Sequence, residues 1–150
     1  MAQKRSTRMQ LILQLAERDE QVAVDALQQN RQKLGDIEEQ LIQIRDYQSE
    51  YLLRVNGKVS GLSAREMISD RQLIHQLSVA EDAQLIKFNQ SKKYVDMAMQ
   101  YWQKLHQRRK NIEELIGKMR NSENQLEDKI LQKELDELAS QNFARDSGQN

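Results

Sequence analysis

The chain contains no cysteine and no proline in 150 residues, five glycines, and 5% aromatic residues. Without cysteine there is no disulfide, no thiolate nucleophile and no Cys-based zinc or iron site. That absence fits a reducing compartment, and the cytoplasm is the expected location. With no proline and so little glycine, the punctuation of loops, hairpins and sheets is missing, so a mostly helical protein follows. Charge of one sign is lacking as well: 23 Lys and Arg balance 23 Asp and Glu, which argues against a strongly basic nucleic-acid binder. Apolar residues make up 38%, below the roughly 45–50% of an ordinary globular domain, so a thick multilayer core is excluded. No apolar run approaches the roughly 18 residues that span a bilayer. Leu11-Ile12-Leu13, behind the basic stretch from Met1 to Arg8, is too short for the roughly 7–15-residue core of a secretory signal. A soluble protein without such a signal is expected.

What is there is periodicity. Leu, Ile, Val and Phe together number 36, above the roughly 20% that marks disordered chains. Stepping alternately by four and three from Met9 meets Leu13, Ala16, Glu20, Ala23, Leu27, Asn30, Leu34, Ile37, Leu41, Ile44, Gln48, Tyr51 and Val55, and eleven of these fourteen positions are apolar. A 3-4 repeat over six heptads averages about 3.5 residues per turn, which keeps one narrow seam facing a partner helix in a left-handed coiled coil. Asn30 and Gln48 interrupt it, either as register-setting polar positions or as tolerated ones.

The pattern stops at Val55-Asn56-Gly57-Lys58-Val59-Ser60-Gly61, where two glycines and an asparagine suit a chain reversal. Ser63-Ala64-Arg65-Glu66 then reads as a capping box, with Leu62 and Met67 at hydrophobic-staple spacing, so a second helix starts near residue 64. Downstream its seam runs Val95, Ala98, Trp102, Leu105, Arg109, Ile112, Ile116, Met119, Glu123, Leu126 and Ile130, apolar at nine of eleven positions, and the patterning continues through Leu135 and Leu138. The expected fold is all-α: one coiled-coil domain over 1–150, with helix one at 9–55, a turn at 56–63, helix two at 64–142 and a flexible tail at 143–150.

At about 1.5 Å per residue these helices reach roughly 70 Å and 120 Å, and a short reversal makes them antiparallel neighbours in a hairpin. If Val55 lies opposite Ala64, Met9 falls opposite a residue near Lys110, and everything beyond about Asn111 overhangs. Ile112, Ile116, Met119, Leu126 and Ile130 would then present an apolar strip to water, which marks a binding surface. Residues 104 to 120 carry six cations against Glu113 and Glu114, and residues 121 to 138 carry six carboxylates against Lys129 and Lys133. These successive basic and acidic bands suit complementary bands on a protein partner, or simply form a solvated face. Near the turn, Leu73, Leu77, Ala80 and Gln84 share one face, and Ile74, Leu77, Leu85 and Phe88 form an overlapping stripe: a second, outward patch or a broadened seam.

Chemistry finds little support. A helical hairpin has no concavity to shield a nucleophile or base. The only histidines, His75 and His106, stand far apart with neither an i, i+4 partner nor an HExxH pattern. No phosphate-binding glycine motif is present, so no catalytic residue, metal, cofactor, nucleic acid or small-molecule substrate is expected.

Several segments carry a resemblance: Met1-Ala2-Gln3, Asp46-Tyr47-Gln48-Ser49-Glu50-Tyr51, Gly61 followed by Gln72-Leu73-Ile74-His75-Gln76-Leu77, and the tail Gln125-Leu126-Glu127-Asp128-Lys129 with Gln132-Lys133 and Asp136-Glu137-Leu138. In their order and spacing the chain resembles the FliJ family of the bacterial flagellar type III export apparatus. The resemblance implies a monomeric antiparallel coiled coil similar to the stalk subunit of rotary ATPases. It would engage the hexameric export ATPase FliI and the export gate protein FlhA, and assist export chaperones. It would work in the cytoplasm, peripherally at the inner membrane of the flagellar base. The family's gate-binding pattern falls on Leu73, Leu77 and Ala80, with Gln84 at a fourth position where relatives place His. The overhang, with Ile112, Ile116, Met119, Leu126 and Ile130, would face the ATPase. The alternatives are the equivalent stalk of a virulence secretion system and a structural coiled coil that homodimerises.

Overall fold

A computed structural model of the chain describes residues 4–57 and 64–148. Two helices, α1 (Arg5–Gly57) and α2 (Ala64–Gly148), hold all of these but Lys4, and there is no strand among the described residues. The helices pack against each other as an all-α hairpin. The absence of proline lets each run unbroken, and glycine inside them weakens rather than stops them. Asn56 and Gly57, read as the start of the reversal, still belong to α1. The capping box at Ser63 and the staple from Leu62 lie outside the described residues. At the other end α2 continues past the expected limit of 142 to Gly148, where the Ser147 hydroxyl donates to Phe143 O at 2.9 Å.

The chain divides into two compact units, residues 21–104 and residues 1–20 with 105–150. In the first, α1 and α2 run antiparallel. Arg54 Nε lies 3.9 Å from Asp70 Oδ2, Arg45 Nε lies 3.4 Å from Glu81 Oε1, and the Gln84 amide donates to Ile37 O and Gln40 Oε1. Ala23, Leu27 and Leu41 are buried, and the other 3-4 positions of α1 here are half-buried. The α2 seam is continuous from Met67 to Trp102 through Asp70, Ile74, Leu77, Glu81, Gln84, Phe88, Ser91, Val95 and Ala98, and none of these is exposed. The stripe of Ile74, Leu77, Leu85 and Phe88 is thus a broadened seam. Asn30 donates to Ala26 O of its own helix, so its polarity is met locally and not across the pair.

In the second unit Ala16 and Ile116 are buried, and Met9, Leu13, Leu105, Ile112 and Met119 are half-buried. The Ser6 backbone N–H and hydroxyl both donate to the Glu123 carboxylate, at 3.1 and 2.6 Å, and Lys4 Nζ lies 2.5 Å from Glu127. This corrects the expected register. With Val55 opposite Ala64, Ser6 would have met a residue near 113; its partner lies about ten positions further along α2. Ile112, Ile116 and Met119 therefore pack against α1, and the overhang begins after Glu123. From Asn124 to Gly148 every residue of α2 is exposed.

Candidate partner-binding surfaces

In the unit formed by residues 1–20 and 105–150, a polar layer interrupts the seam one heptad from Ile116. Glu20, Arg109 and Glu123 occupy seam positions because the 3-4 step places them there, and each finds a partner. Glu20 accepts from Arg109 Nε, His106 Nδ1 lies 2.8 Å from Glu20 Oε1, and Arg109 Nη1 donates to Glu113 at 2.7 Å. Burial pushes the Glu20 carboxyl up, but the hydrogen bonds from His106 and Arg109, with their charges, outweigh it and hold it below the usual glutamate range. The two Ser6 hydrogen bonds lower Glu123 in the same way. Paired like this, the layer marks the register. Among the described residues no group of three or more His, Asp or Glu stands ready to hold a metal ion, and no helix is long and apolar enough to cross a membrane.

Beyond that layer the helix keeps its apolar residues, and from Asn124 to Gly148 they stand exposed. Leu126 is 60% exposed and Ile130 51%, and Leu131, Leu135, Leu138 and Phe143 are exposed with them. Carboxylates from Glu127, Asp128, Glu134, Asp136 and Glu137 stand among them. The five residues assigned from sequence to one strip thus separate. Ile116 is 4% exposed and, with Ile112 and Met119, serves the hairpin. Leu126 and Ile130 are open to a partner, and Leu131, Leu135 and Leu138 extend the strip.

The four residues at the other assigned surface, in the unit of residues 21–104, also separate. Leu73 and Leu77 are half-buried, Gln84 is buried with its amide bonded to α1, and Ala80 is exposed. Near Ala80 the outward apolar side chains are Val79 and Ile86, and further toward the start of α2 a shallow groove is lined by Ile68, Arg71, Gln72, His75 and Gln76. Sequence reasoning missed Val79 and Ile86, which stand seven residues apart on one helix face. The overlapping apolar stripes around them gave no sign of which one α1 covers.

The geometry is that of a helical pair whose outward faces carry exposed apolar side chains. The family model described as Flagellar FliJ protein matches residues 4–148. The chain belongs to this family. Two relatives, each named Flagellar FliJ protein, are similar along most of their length. The one from Escherichia coli (strain K12) is 30% identical over 126 residues, covering 83% of this chain and 86% of that protein. The one from Salmonella typhi is 27% identical over 132 residues, covering 87% and 90%. No solved structure matches the chain.

Proposed function

We propose that this FliJ-family chain is a non-catalytic component of flagellar protein export, a stalk-like coiled coil that couples the hexameric export ATPase to the export gate protein FlhA and assists export chaperones. The observation that carries this reading is the strip from Leu126 to Leu138. A helix that keeps its apolar residues where its own partner has ended is a surface made for another protein. Mechanical or allosteric coupling asks no bond chemistry of the chain. It asks for distinct surfaces that bind different machines, so that a bias at one is felt at the other. The ATPase surface is Leu126 and Ile130, extended by Leu131, Leu135 and Leu138, and their neighbouring carboxylates steer an electropositive partner. The gate surface is the exposed Ala80 with the outer edges of Leu73 and Leu77.

The test is binding of the cognate export ATPase to the purified chain, compared with a Leu126→Ser, Ile130→Ser variant. These side chains are exposed, so the variant keeps its helicity while affinity falls by about tenfold or more. Unchanged affinity would reject the strip as the ATPase surface. For the gate, Ala80→Glu should weaken FlhA binding without unfolding the hairpin. Leu73→Ala with Leu77→Ala would also loosen the seam, so Ala80 gives the cleaner result.

A further inference from the structure

Helix α2 carries a short apolar stripe on its flank within residues 21–104, one heptad long at 3-4 spacing. Of positions 83, 87, 90, 94, 97, 101 and 104, all exposed, Ala83, Tyr94, Met97 and Tyr101 are apolar or aromatic and Lys87, Gln90 and Lys104 are polar. At its centre stand Tyr94, Met97 and Tyr101, 58%, 63% and 58% exposed; Lys87 and Lys104 bound it. A coiled-coil helix with one partner needs one stripe, so a second outward one, though a single heptad long, offers a seat for a further strand.

The opposite wall comes from α1. Lys33, with Asn30 and Ile37, faces Lys87, Gln90 and Tyr94 across a groove between the two helices. Val22 and Ala26, eleven and seven residues before Lys33, lie on the same face of α1, and both are exposed. Ile37 and Tyr94 are the groove's apolar lining, Lys33 and Lys87 its two charges, and no carboxylate lines it; Met97 and Tyr101 carry the face of Tyr94 on along α2. From residue 83 to 104, α2 carries four lysines and one aspartate beyond its buried seam.

We propose that this groove seats an amphipathic helix of a separate protein, its apolar stripe on Tyr94, Met97 and Tyr101 and its flanking carboxylates against Lys33 and Lys87, as the third strand of a local three-helix coil. The aromatic floor supplies large rigid contact area and the lysines select the sign of the partner. The acidic strip of a second copy has related chemistry, and self-association in the test below separates it from a different protein. The proposal is independent of the ATPase and gate assignments.

The test uses the full chain and two fluorescein-labelled synthetic peptides of about four heptads, with Leu at both seam positions and either Glu or Lys at the flanking ones. The Glu peptide should bind saturably at low salt and the Lys peptide should not. Tyr94→Ser with Tyr101→Ser should weaken binding by about tenfold or more, and Lys33→Glu with Lys87→Glu should transfer preference to the Lys peptide, both with unchanged helicity. In the complex the methyl resonance of Met97 should move while that of Met9, in the other unit's seam, stays. Equal binding of the two peptides, no binding of either, indifference to the Tyr variant, or a shift at Met9 in place of Met97 would overturn the proposal. So would concentration-dependent self-association by light scattering that the Tyr variant abolishes, which would assign the groove to a second copy.

Discussion

Replacing Ile116 by Ala and, separately, Leu126 by Ala tests where α1 ends its cover of α2. Ile116 is 4% exposed and Leu126 is 60% exposed, ten residues along the same helix. Deleting a buried isoleucine side chain to alanine costs about 2–5 kcal/mol, from lost transfer energy and the cavity left behind. A two-helix seam closes around such a cavity more easily than a thick core does, so Ile116→Ala should cost about 2–3 kcal/mol. Leu126→Ala removes little that folding buries and should change stability by less than about 0.5 kcal/mol. Alanine is also a strong helix former, so neither substitution weakens the helix itself. The assay is urea unfolding followed by far-ultraviolet circular dichroism, with a common slope for all three proteins so that midpoints report stability. A loss below about 0.5 kcal/mol for Ile116→Ala would restore the register that leaves everything past residue 111 uncovered. An equal loss at Leu126 would mean that α1 or a second copy covers the strip.

Further outcomes follow from the same contacts. Gly35 and Gly117 lie inside helices with nothing within 4 Å of an added Cβ, so Gly35→Ala and Gly117→Ala should each raise stability by about 0.5–1 kcal/mol in the same assay. Glu20 and Glu123 are held below the ordinary value of 4.5 in the folded chain. Their stabilisation is full above that value and is lost as pH falls through the folded-state values. Glu20→Gln should therefore cost about 1 kcal/mol at pH 7 and flatten the loss of thermal stability below pH 4.5; an unchanged acid profile would show that the Glu20, His106 and Arg109 layer contributes nothing. Hydrogen exchange should protect the amides of residues 105–123 more strongly than those of 124–148, and equal protection would contradict a partnerless end.

Much of the fold was legible because one rule, the 3-4 repeat, governs both helices. All fourteen seam positions read from Met9 to Val55 are buried or half-buried, Glu20, Asn30 and Gln48 included. On α2 the seam is legible from Val95 to Glu123, every position of it buried or half-buried, and less so upstream. There Asp70, Glu81, Gln84 and Ser91 occupy seam positions, and their polarity hid the period that spacing alone would have shown. Glu81 and Gln84 bond to groups on α1, and Asp70 faces Arg54 at 3.9 Å without a hydrogen bond at its buried Oδ2. The register was not legible. It depends on how far the connection carries the chain before the helices meet, and no seam residue records that distance; a heptad pattern reads equally well slid by one repeat. The Ser6 and Glu123 pair fixes it, through a short hydroxyl and a carboxylate 117 residues apart that no motif links. The same distance decides the candidate surfaces: Ile112, Ile116 and Met119 lie under the cover of α1 in the observed register and outside it in the expected one, whereas Leu126 and Ile130 lie beyond it in both.

The most direct test of the account is ATP hydrolysis by the cognate flagellar export ATPase, titrated with the intact chain and with the Leu126→Ser, Ile130→Ser variant. The account predicts stimulation that saturates below one chain per ATPase subunit, as one stalk per ring requires, and a variant that is folded and inactive in the assay. Hydrolysis unchanged by the intact chain, or stimulated equally by the variant, would contradict it.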